Sequence, residues 1–376
     1  MTGSTWAVIT GEYPPQPGGV SDYTREVALG LAKAGDQVHV WAPATDQPTP
    51  EEGGVQVHRL AGGFGMRGLS IVSAALAQLP DSTRILVQYV PQAYGWKGMN
   101  VPFCLWLARR RLPVWVLYHE VAYPFQWSQR PHRNVLAVVT RAMAWIVANA
   151  ATRIFVSIPS WISMLPRGRS IEWLPIPSTI PTSVNAEAVA AVRNRLAPAH
   201  PEGVLIGHFG TYGVHIAPLL HEILPVLLMA DPRRSILLLG GGGLRFQRRF
   251  ADAFPQLASR IAAPGVLPAH AVSTHLAACD LVIQPYADGV SARRTSMMAG
   301  LALGLPILTT AGHLTESLWA ESGAVGLVPA FVTKEFLREA EALLGDPARL
   351  KDLGSRAAAL YRDRFDLSNT LRVLRA

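Results

Sequence analysis

The sequence predicts an α/β protein made of two doubly wound domains, each with a mainly parallel sheet. The chain of 376 residues is long enough for two domains, and 49% of it is hydrophobic. In both halves, short apolar runs alternate with longer amphipathic segments, as in parallel sheets covered by helices on both faces. A proline-rich stretch at 174–183 separates the halves, because it cannot continue a helix or a central strand.

The first half begins with a buried strand, a loop rich in proline and glycine, and a helix. Residues 6–10 (WAVIT) form the apolar run, and 11–19 (GEYPPQPGG) form the loop. Apolar residues then recur at steps of three and four until Gly35, which is a typical C-cap. Further strands are predicted at 37–42, 55–60, 85–89, 114–118 and 153–157, and further helices at about 70–78, 98–111 and 132–150.

The second half begins with a helix predicted at 186–196 and then shows the same alternation of strands and helices. Strands are predicted at 204–209, 235–239, 281–284, 306–310 and 325–328, and helices at 215–229, 244–254, 268–278, 293–303 and 333–344. A charged helical pattern continues from about residue 347. The predicted domains are therefore 1–178 and 179–350, and we expect a ligand cleft where the ends of their two sheets face each other.

Charge and cysteine usage narrow the classes of partner and of metal site. The formal net charge is +8 and the sequence pI is near 9.8, which favours anionic partners such as nucleotide phosphates or lipid head groups. No nucleic-acid-binding module or concentrated Lys/Arg tract is present, so nucleic acid is not expected. Cys104 and Cys279 form no CxxC unit, which excludes zinc ribbons and dithiol redox motifs. The absence of a long uncharged apolar stretch predicts no membrane-spanning helix, and we expect a cytoplasmic protein.

Two motifs of the first domain point to a ligand site at the ends of its strands. Gly18 and Gly19 precede a helix, where small residues and the helix N-terminus favour a phosphate. The dinucleotide fingerprint G-x-G-x-x-G is absent there, which argues against an NAD-dependent dehydrogenase. His119 and Glu120 follow the predicted strand 114–118, so the imidazole can bind a sugar hydroxyl or stabilise developing charge, with Glu120 a candidate to orient it.

The second domain carries glycine loops and a basic pair. Gly210, Thr211 and Tyr212 follow one predicted strand, and the run 240–243, which includes Gly241, follows the next. Such loops let a ligand approach the backbone closely, although each is also compatible with a plain turn.

A longer motif spans 284–296 (QPYADGVSARRTS). It is predicted to turn at Asp288 and Gly289, to have Ser291 as the N-cap of a helix, and to place Arg293 and Arg294 in the first helical turn. Two arginines there oppose the helix dipole, which an anionic ligand would offset. The motif GLP at 304–306 precedes another predicted strand and Thr310.

Taken in order, these motifs resemble retaining glycosyltransferases of the GT-B fold, particularly family 4. The resemblance runs from PPQPGGVSDY through LYHE, GHFGTYG and LLLGGGG to the GLALGLPILTT segment. It implies two Rossmann-like domains facing across a cleft, and a final helix, 351–376, packing back on the first domain. It also implies that Gly18, Gly19, Gly210, Thr211 and Thr310 lie beside the donor diphosphate, and that His119 lies near the transferred sugar.

The sequence departs from that family at its paired glutamates. Alignment on the GLP motif places Ser291 and Ala299 where the family has two carboxylates, and the usual Arg and Lys after the second-domain glycine loop are also missing. We hypothesise that Arg293 and Arg294 supply the missing positive charge and that Asp288 or Ser291 contacts the sugar. Tyr212 and Gly241 complete the expected donor-binding residues.

The implied reaction transfers a sugar from a nucleotide-diphosphate donor, with UDP-sugar favoured, to an acceptor hydroxyl. No metal and no further cofactor are expected, because no D-x-D element is present and basic groups can neutralise the leaving diphosphate.

Candidate contacts of the acceptor lie on the first domain and are Tyr94, Trp96 and Trp127. The acceptor is a glycan, a lipid-linked molecule or a small molecule, and basic stretches at 109–111 and 130–133 raise the hypothesis of peripheral membrane contact. The alternative is a non-catalytic GT-B protein that binds a sugar nucleotide or glycan.

Overall fold

A computed structural model describes residues 3–48, 53–196 and 203–376 of the chain. Its contacts divide the chain into two compact units. Unit 1 comprises Met1–Ile176 and Leu367–Ala376, and unit 2 comprises Pro177–Asp366. The domain bounds predicted from the sequence were 1–178, 179–350 and 351–376, whereas the contacts keep 351–366 with unit 2 and only the last ten residues with unit 1.

Both units contain a parallel sheet with the doubly wound strand order. In the described part of unit 1 the order is β3-β2-β1-β4-β5-β6-β7, and in that of unit 2 it is β10-β9-β8-β11-β12-β13. The strands of unit 1 are β1 (Thr5–Thr10), β2 (Gln37–Pro43), β3 (Val55–Leu60), β4 (Arg84–Tyr89), β5 (Val114–Tyr118), β6 (Arg153–Val156) and β7 (Ile171–Trp173). Those of unit 2 are β8 (Val204–Phe209), β9 (Arg234–Leu239), β10 (Ile261–Ala262), β11 (Leu281–Gln284), β12 (Ile307–Ala311) and β13 (Gly326–Pro329).

Helices follow most of the strands, as the alternating pattern predicts. Along the described chain they are α1 (Gly19–Lys33), α2 (Met66–Leu76), α3 (Val101–Ala108), α4 (Pro131–Ala150), α5 (Ala186–Leu196), α6 (Ala217–Ala230), α7 (Gly243–Ala253), α8 (Ala269–Ala277), α9 (Thr295–Ala302), α10 (Ser317–Ser322), α11 (Thr333–Leu344), α12 (Pro347–Leu360) and α13 (Leu367–Arg375). None of the described helices is long and apolar enough to cross a membrane.

The sheet of unit 1 is buried on both faces, which explains why its strands are continuous apolar runs. Side chains alternate along β1, so Ala7 and Ile9 join the core on one face while Trp6 and Val8 join the core on the other. The second face also receives Leu374 of α13. The chain returns to unit 1 at this helix, where Arg375 Nε donates to Asp36 Oδ2 at 3.1 Å.

Most strand bounds agree with the predictions to within two residues, and the differences occur at short elements. The strands β7 and β10 and the helix α10 were not predicted, because segments of two to six residues carry too little periodicity. The predicted N-cap role of Ser291 is wrong. Helix α9 begins at Thr295 after Arg294, and no side chain caps it. The two arginines therefore precede the helix instead of occupying its first turn.

Candidate functional site

Each sheet reverses its strand order at one point, and the predicted site residues collect there. In unit 1 the reversal lies between β1 and β4, and in unit 2 between β8 and β11. Loops leaving the carboxyl ends of strands diverge at such a point and leave a crevice in which α/β proteins bind ligands. Each unit supplies its own set of loops.

In unit 1, the N-terminus of α1 is occupied by a carboxylate of the same chain. Glu12 Oε1 accepts a hydrogen bond from the backbone N–H of Ser21 at 3.0 Å. A Cβ at Gly18 would lie 2.5 Å from that oxygen, so glycine is needed to let the carboxylate reach the helix. Burial raises the pKa of Glu12 above its ordinary value. Sequence reasoning expected a phosphate here and missed Glu12, although an acidic residue in the loop before the helix was a visible signal.

His119 lies just after β5 and is held by a residue that the sequence analysis did not select. Its Nε2 is 2.7 Å from Oε1 of Gln88, which belongs to the neighbouring strand β4. The imidazole is 93% buried, and burial lowers its pKa to about 3. His119 is therefore neutral near pH 7, and a neutral ring that donates through Nε2 presents Nδ1 as a hydrogen-bond acceptor.

Glu120 does not orient His119, in contrast to the role considered for it. Its Oε2 accepts a hydrogen bond from Gln92 Nε2 at 2.5 Å. His119 is instead held by Gln88 through its side chain and by Tyr89 O through its backbone N–H at 3.1 Å. The reason is that consecutive residues leaving a strand point to opposite sides.

The three predicted acceptor aromatics have different surroundings. Tyr94 is buried, its hydroxyl donates to Gln88 O at 2.8 Å, and its ring stacks on Phe103 with centroids 4.2 Å apart. Tyr94 therefore belongs to the core, which contradicts the prediction that it contacts the acceptor. Trp96 and Trp127 are exposed, and Trp127 packs edge-on against Phe125 at 5.1 Å. These two tryptophans keep their faces available for a ligand or a surface.

In unit 2, the loops after β8 and β9 come very close to each other. Gly240 has φ +103°, and a Cβ there would lie 2.3 Å from the carbonyl oxygen of Gly210. Thr211 and Gly241 are exposed on these loops, where their backbone can meet a ligand. Tyr212 is buried, and its hydroxyl donates to Leu239 O at 3.1 Å. Tyr212 can therefore offer a ligand its ring, whereas the proton of its hydroxyl is already donated to Leu239 O.

The loop between β11 and α9 brings Asp288 and both arginines into one cluster. Asp288 Oδ2 lies 3.3 Å from Arg293 Nη2, and Asp288 Oδ1 pairs with Arg294 Nη2. The guanidinium of Arg294 lies 4.6 Å from the ring centroid of Tyr286. The carboxylate predicted to contact the sugar is thus engaged by both arginines, and the cluster as a whole carries one net positive charge.

A second carboxylate reaches the same loop from farther along the chain. Glu316 accepts hydrogen bonds from Ala292 N at 3.1 Å through Oε1 and from Trp319 Nε1 at 2.7 Å through Oε2. Burial raises its pKa above the ordinary value. The hydroxyl of Ser291, the residue before Ala292, is fully buried and has no hydrogen-bond partner among the described residues. The sequence analysis did not select Glu316.

Thr310 anchors the start of this loop from β12. Its Oγ1 accepts from Tyr286 N at 2.7 Å and donates to Tyr286 O at 2.6 Å, and its carbonyl accepts from Val290 N at 2.7 Å. Thr310 is buried, so its side chain shapes the loop. In the described ranges no group of three or more His, Cys, Asp or Glu side chains is arranged to hold a metal ion.

Comparisons with known proteins agree with this architecture. Residues 18–159 match the family model described as the glycosyl transferase 4-like domain. Among solved structures, sucrose-phosphate synthase from Thermosynechococcus elongatus matches with a TM-score of 0.73 at 17% identity, covering 99% of this chain and 98% of the other. The Anabaena protein HepE, in complex with UDP and glucose, matches with a TM-score of 0.71 at 15% identity, with coverage of 99% and 98%.

A glycosyltransferase from Rickettsia africae is also similar, with a TM-score of 0.72, 13% identity and coverage of 99% of this chain and 97% of the other. No curated protein matches the sequence. At these identities the structural likeness establishes the fold. The prediction of a GT-B fold and of a resemblance to its glycosyltransferases is confirmed.

Proposed function

We propose that the protein is a glycosyltransferase that moves a sugar from a nucleotide-diphosphate donor, a UDP-sugar, to an acceptor hydroxyl. The main support is the glycosyl transferase 4-like match over 18–159, located on a chain whose whole length has the GT-B fold. The solved relative HepE is described in complex with UDP-glucose. The acceptor class in this proposal is a glycan, a lipid-linked molecule or a small molecule.

The residues of unit 2 fit the donor, because phosphates need backbone amides and cations. The proposed donor contacts are the exposed loop residues Thr211 and Gly241 and the cluster formed by Asp288, Arg293 and Arg294. As the anomeric C–O bond to the diphosphate breaks, negative charge grows on the leaving oxygen. Fixed positive groups would stabilise it, which is usually the largest catalytic contribution in such a site.

The residues of unit 1 fit the transferred sugar. His119 is neutral and rigidly held, so it can bind a sugar hydroxyl but cannot cycle as a general acid and base near pH 7. In the proposed reaction the acceptor oxygen forms the new bond to the anomeric carbon, and its proton leaves with the diphosphate or solvent. Retention of configuration and independence from metal ions are further parts of the proposal, supported by the family resemblance.

The first test is binding and turnover with the full chain. We expect UDP to raise the melting temperature more than GDP, ADP or dTDP, because a ligand that binds only the folded state stabilises it. Purified protein should then hydrolyse or transfer from a UDP-sugar. Each of His119→Leu, Arg293→Ala and Arg294→Ala should lower kcat/KM about tenfold or more, by removing one hydrogen bond or one charge. The exposed His270→Gln variant serves as the control.

The outcomes separate the two candidate functions. Absence of both nucleotide binding and turnover in folded protein would overturn the proposal. Nucleotide binding without turnover would favour the non-catalytic alternative. That alternative is motivated by Ser291 and Ala299, which are fully buried where the family resemblance expects two glutamates. Unchanged activity in both arginine variants would remove the Arg293 and Arg294 part of the proposal.

We also propose that unit 1 contacts an anionic lipid surface at the inner face of the membrane. Helix α4 exposes Val135, Val138 and Trp145 along one stripe, and Trp127, just before the helix, is 91% exposed. Arg130, Arg133 and Arg141 flank these residues and are also exposed. Apolar side chains beside basic ones are typical of surfaces that bind anionic membranes. A cytoplasmic location remains a prediction. It is consistent with Cys104 and Cys279, which are free and buried thiols.

A vesicle experiment tests this contact. The protein should sediment with vesicles of phosphatidylglycerol at low salt but not with those of phosphatidylcholine, because the attraction is partly electrostatic. The double variant Trp127→Ser and Val138→Ser should lose most of the binding. The matched control is Met229→Ser, which removes a side chain of unit 2 that is 60% exposed. Equal sedimentation of the double variant and the control would contradict the proposal.

A further inference from the structure

Unit 2 contains a cavity of about 500 Å³ between the N-terminal turns of α6 and α7. This volume lies within the range of roughly 300–1,000 Å³ that is usual for small-molecule sites. We call it the α6–α7 cavity. Its lining residues are Tyr212, Gly213, Val214, Ala217, Pro218, His221, Gly242, Arg245, Phe246 and Arg249.

The α6–α7 cavity is rich in positive charge that nothing in the described part of the chain neutralises. Arg245 and Arg249 lie one turn apart on α7, and neither makes an ion pair with a described carboxylate. Like charges at this spacing repel each other. Neither α6 nor α7 has an acidic residue in its first turn, and neither has a side-chain N-cap. The positive ends of two helix dipoles thus add to the two guanidinium groups.

Two aromatic residues form part of the remaining wall. The rings of Tyr212 and Phe246 have centroids 5.4 Å apart, and both residues line the cavity. The hydroxyl of Tyr212 is already bonded to Leu239 O, so the cavity meets its ring. An aromatic wall next to two arginines suits a ligand with a flat or apolar part joined to an anionic group.

We propose that the α6–α7 cavity binds the phosphoryl group of a small ligand through Arg245 and Arg249. Guanidinium groups bind phosphate oxygens in pairs of parallel hydrogen bonds, which gives both affinity and orientation. Two sources share this chemistry: the diphosphate of the proposed donor and a separate phosphorylated molecule. The first source rests on the proposed function. Tyr212 and Gly213 of the loop after β8 line the same cavity, so a phosphoryl group held there would lie beside that loop.

Titration of the full chain with inorganic phosphate and with UDP tests this proposal. Phosphate should bind the unaltered protein, and the double variant Arg245→Gln and Arg249→Gln should bind it about tenfold more weakly or worse. The matched control is Arg248→Gln. Arg248 lies on the same helix, is exposed and has no described ion-pair partner, but it does not line the cavity. All substituted side chains are exposed, so the fold should be retained, which circular dichroism checks.

The titration results distinguish the two sources of the phosphoryl group. If UDP displaces phosphate and the double variant weakens both, the cavity holds the donor diphosphate. If phosphate binding is lost while UDP binding is unchanged, the cavity holds a separate phosphorylated ligand. Equal phosphate binding by the double variant and the control, or no phosphate binding by the unaltered protein, would overturn the proposal. Failure of the proposed function looks different, because phosphate would still bind while UDP binding and turnover were both absent.

Discussion

The substitution Gly289→Ala is expected to destabilise the protein by about 2–6 kcal/mol and to abolish nucleotide binding. Gly289 has φ +86°, and a Cβ there would lie 2.2 Å from both Gly312 N and Thr315 Oγ1. Gly312 N is a backbone atom, so no side-chain rotation relieves that contact. The segment from Asp288 onward would have to move away from the loop after β12, and the Asp288–Arg294 pair would move with it.

Urea unfolding, followed by tryptophan fluorescence, measures this effect. Gly53→Ala is the matched control, because an added Cβ at Gly53 meets nothing within 4 Å. That control should stay within about 0.5 kcal/mol of the unaltered protein. A Gly289→Ala variant that unfolds like the control and binds UDP normally would contradict the described contact between the two loops.

The second large effect is a loss of stability as the pH falls below about 6.5, the ordinary pKa of histidine. Burial lowers the pKa of His119 to about 3 and that of His208 to about 4 in the folded protein. Between these values and 6.5 the unfolded chain binds protons that the folded chain does not. The free energy of unfolding therefore decreases with falling pH, by about 1.4 kcal/mol per pH unit for each histidine, or about 2.8 kcal/mol per pH unit for both. Above pH 6.5 neither histidine makes the free energy of unfolding depend on pH.

The dependence is measured as the free energy of unfolding between pH 7 and pH 5. Replacing His208 by Gln should reduce the slope by about 1.4 kcal/mol per pH unit, since Gln can keep the hydrogen bond to Ile283 O without titrating. His39 and His58, whose pKa values burial also lowers, contribute to the slope in the same direction as His208. The exposed His270→Gln variant is the control for any effect of a His→Gln substitution on folding itself. Glu12 and Glu316, whose pKa values are raised by burial, act in the opposite direction, because they take up protons more readily when folded. A His208→Gln variant with the same slope as the unaltered protein would show that His208 is not buried as described.

Much of the fold followed from local patterns of the sequence. The apolar runs at 6–10, 114–118 and 204–209 predicted strands that the structure contains nearly unchanged. A parallel sheet buried on both faces requires such runs, so the pattern and the architecture have the same cause. The start of α9 was misplaced, because Ser291 is typical of an N-cap by residue type while Glu316 and Thr310 hold the loop in another conformation.

Some residues of the candidate site were also predictable from local sequence patterns, and others were not. Sequence motifs selected His119, Gly18 and the arginines at 293 and 294, because these residues follow predicted strands or begin helices. They did not select Gln88, which lies 31 residues from His119, or Arg245 and Arg249, which form part of an ordinary amphipathic helix. Tyr94 was selected for its residue type, but its hydroxyl is directed into the core.

Local patterns along the chain are thus enough to predict the class of fold, the two-part organisation and the loops that carry the candidate site. Only the folded chain shows which polar groups meet in those loops: Glu12 at the N-terminus of α1, Gln88 on His119, and Glu316 on the loop after β11. Hydrophobic periodicity specifies how each segment buries its own surface, and it carries no information on contacts between distant loops. Contacts between loops depend instead on the order in which strands assemble, and β1 lies beside β4, as β8 lies beside β11, only in the folded sheets.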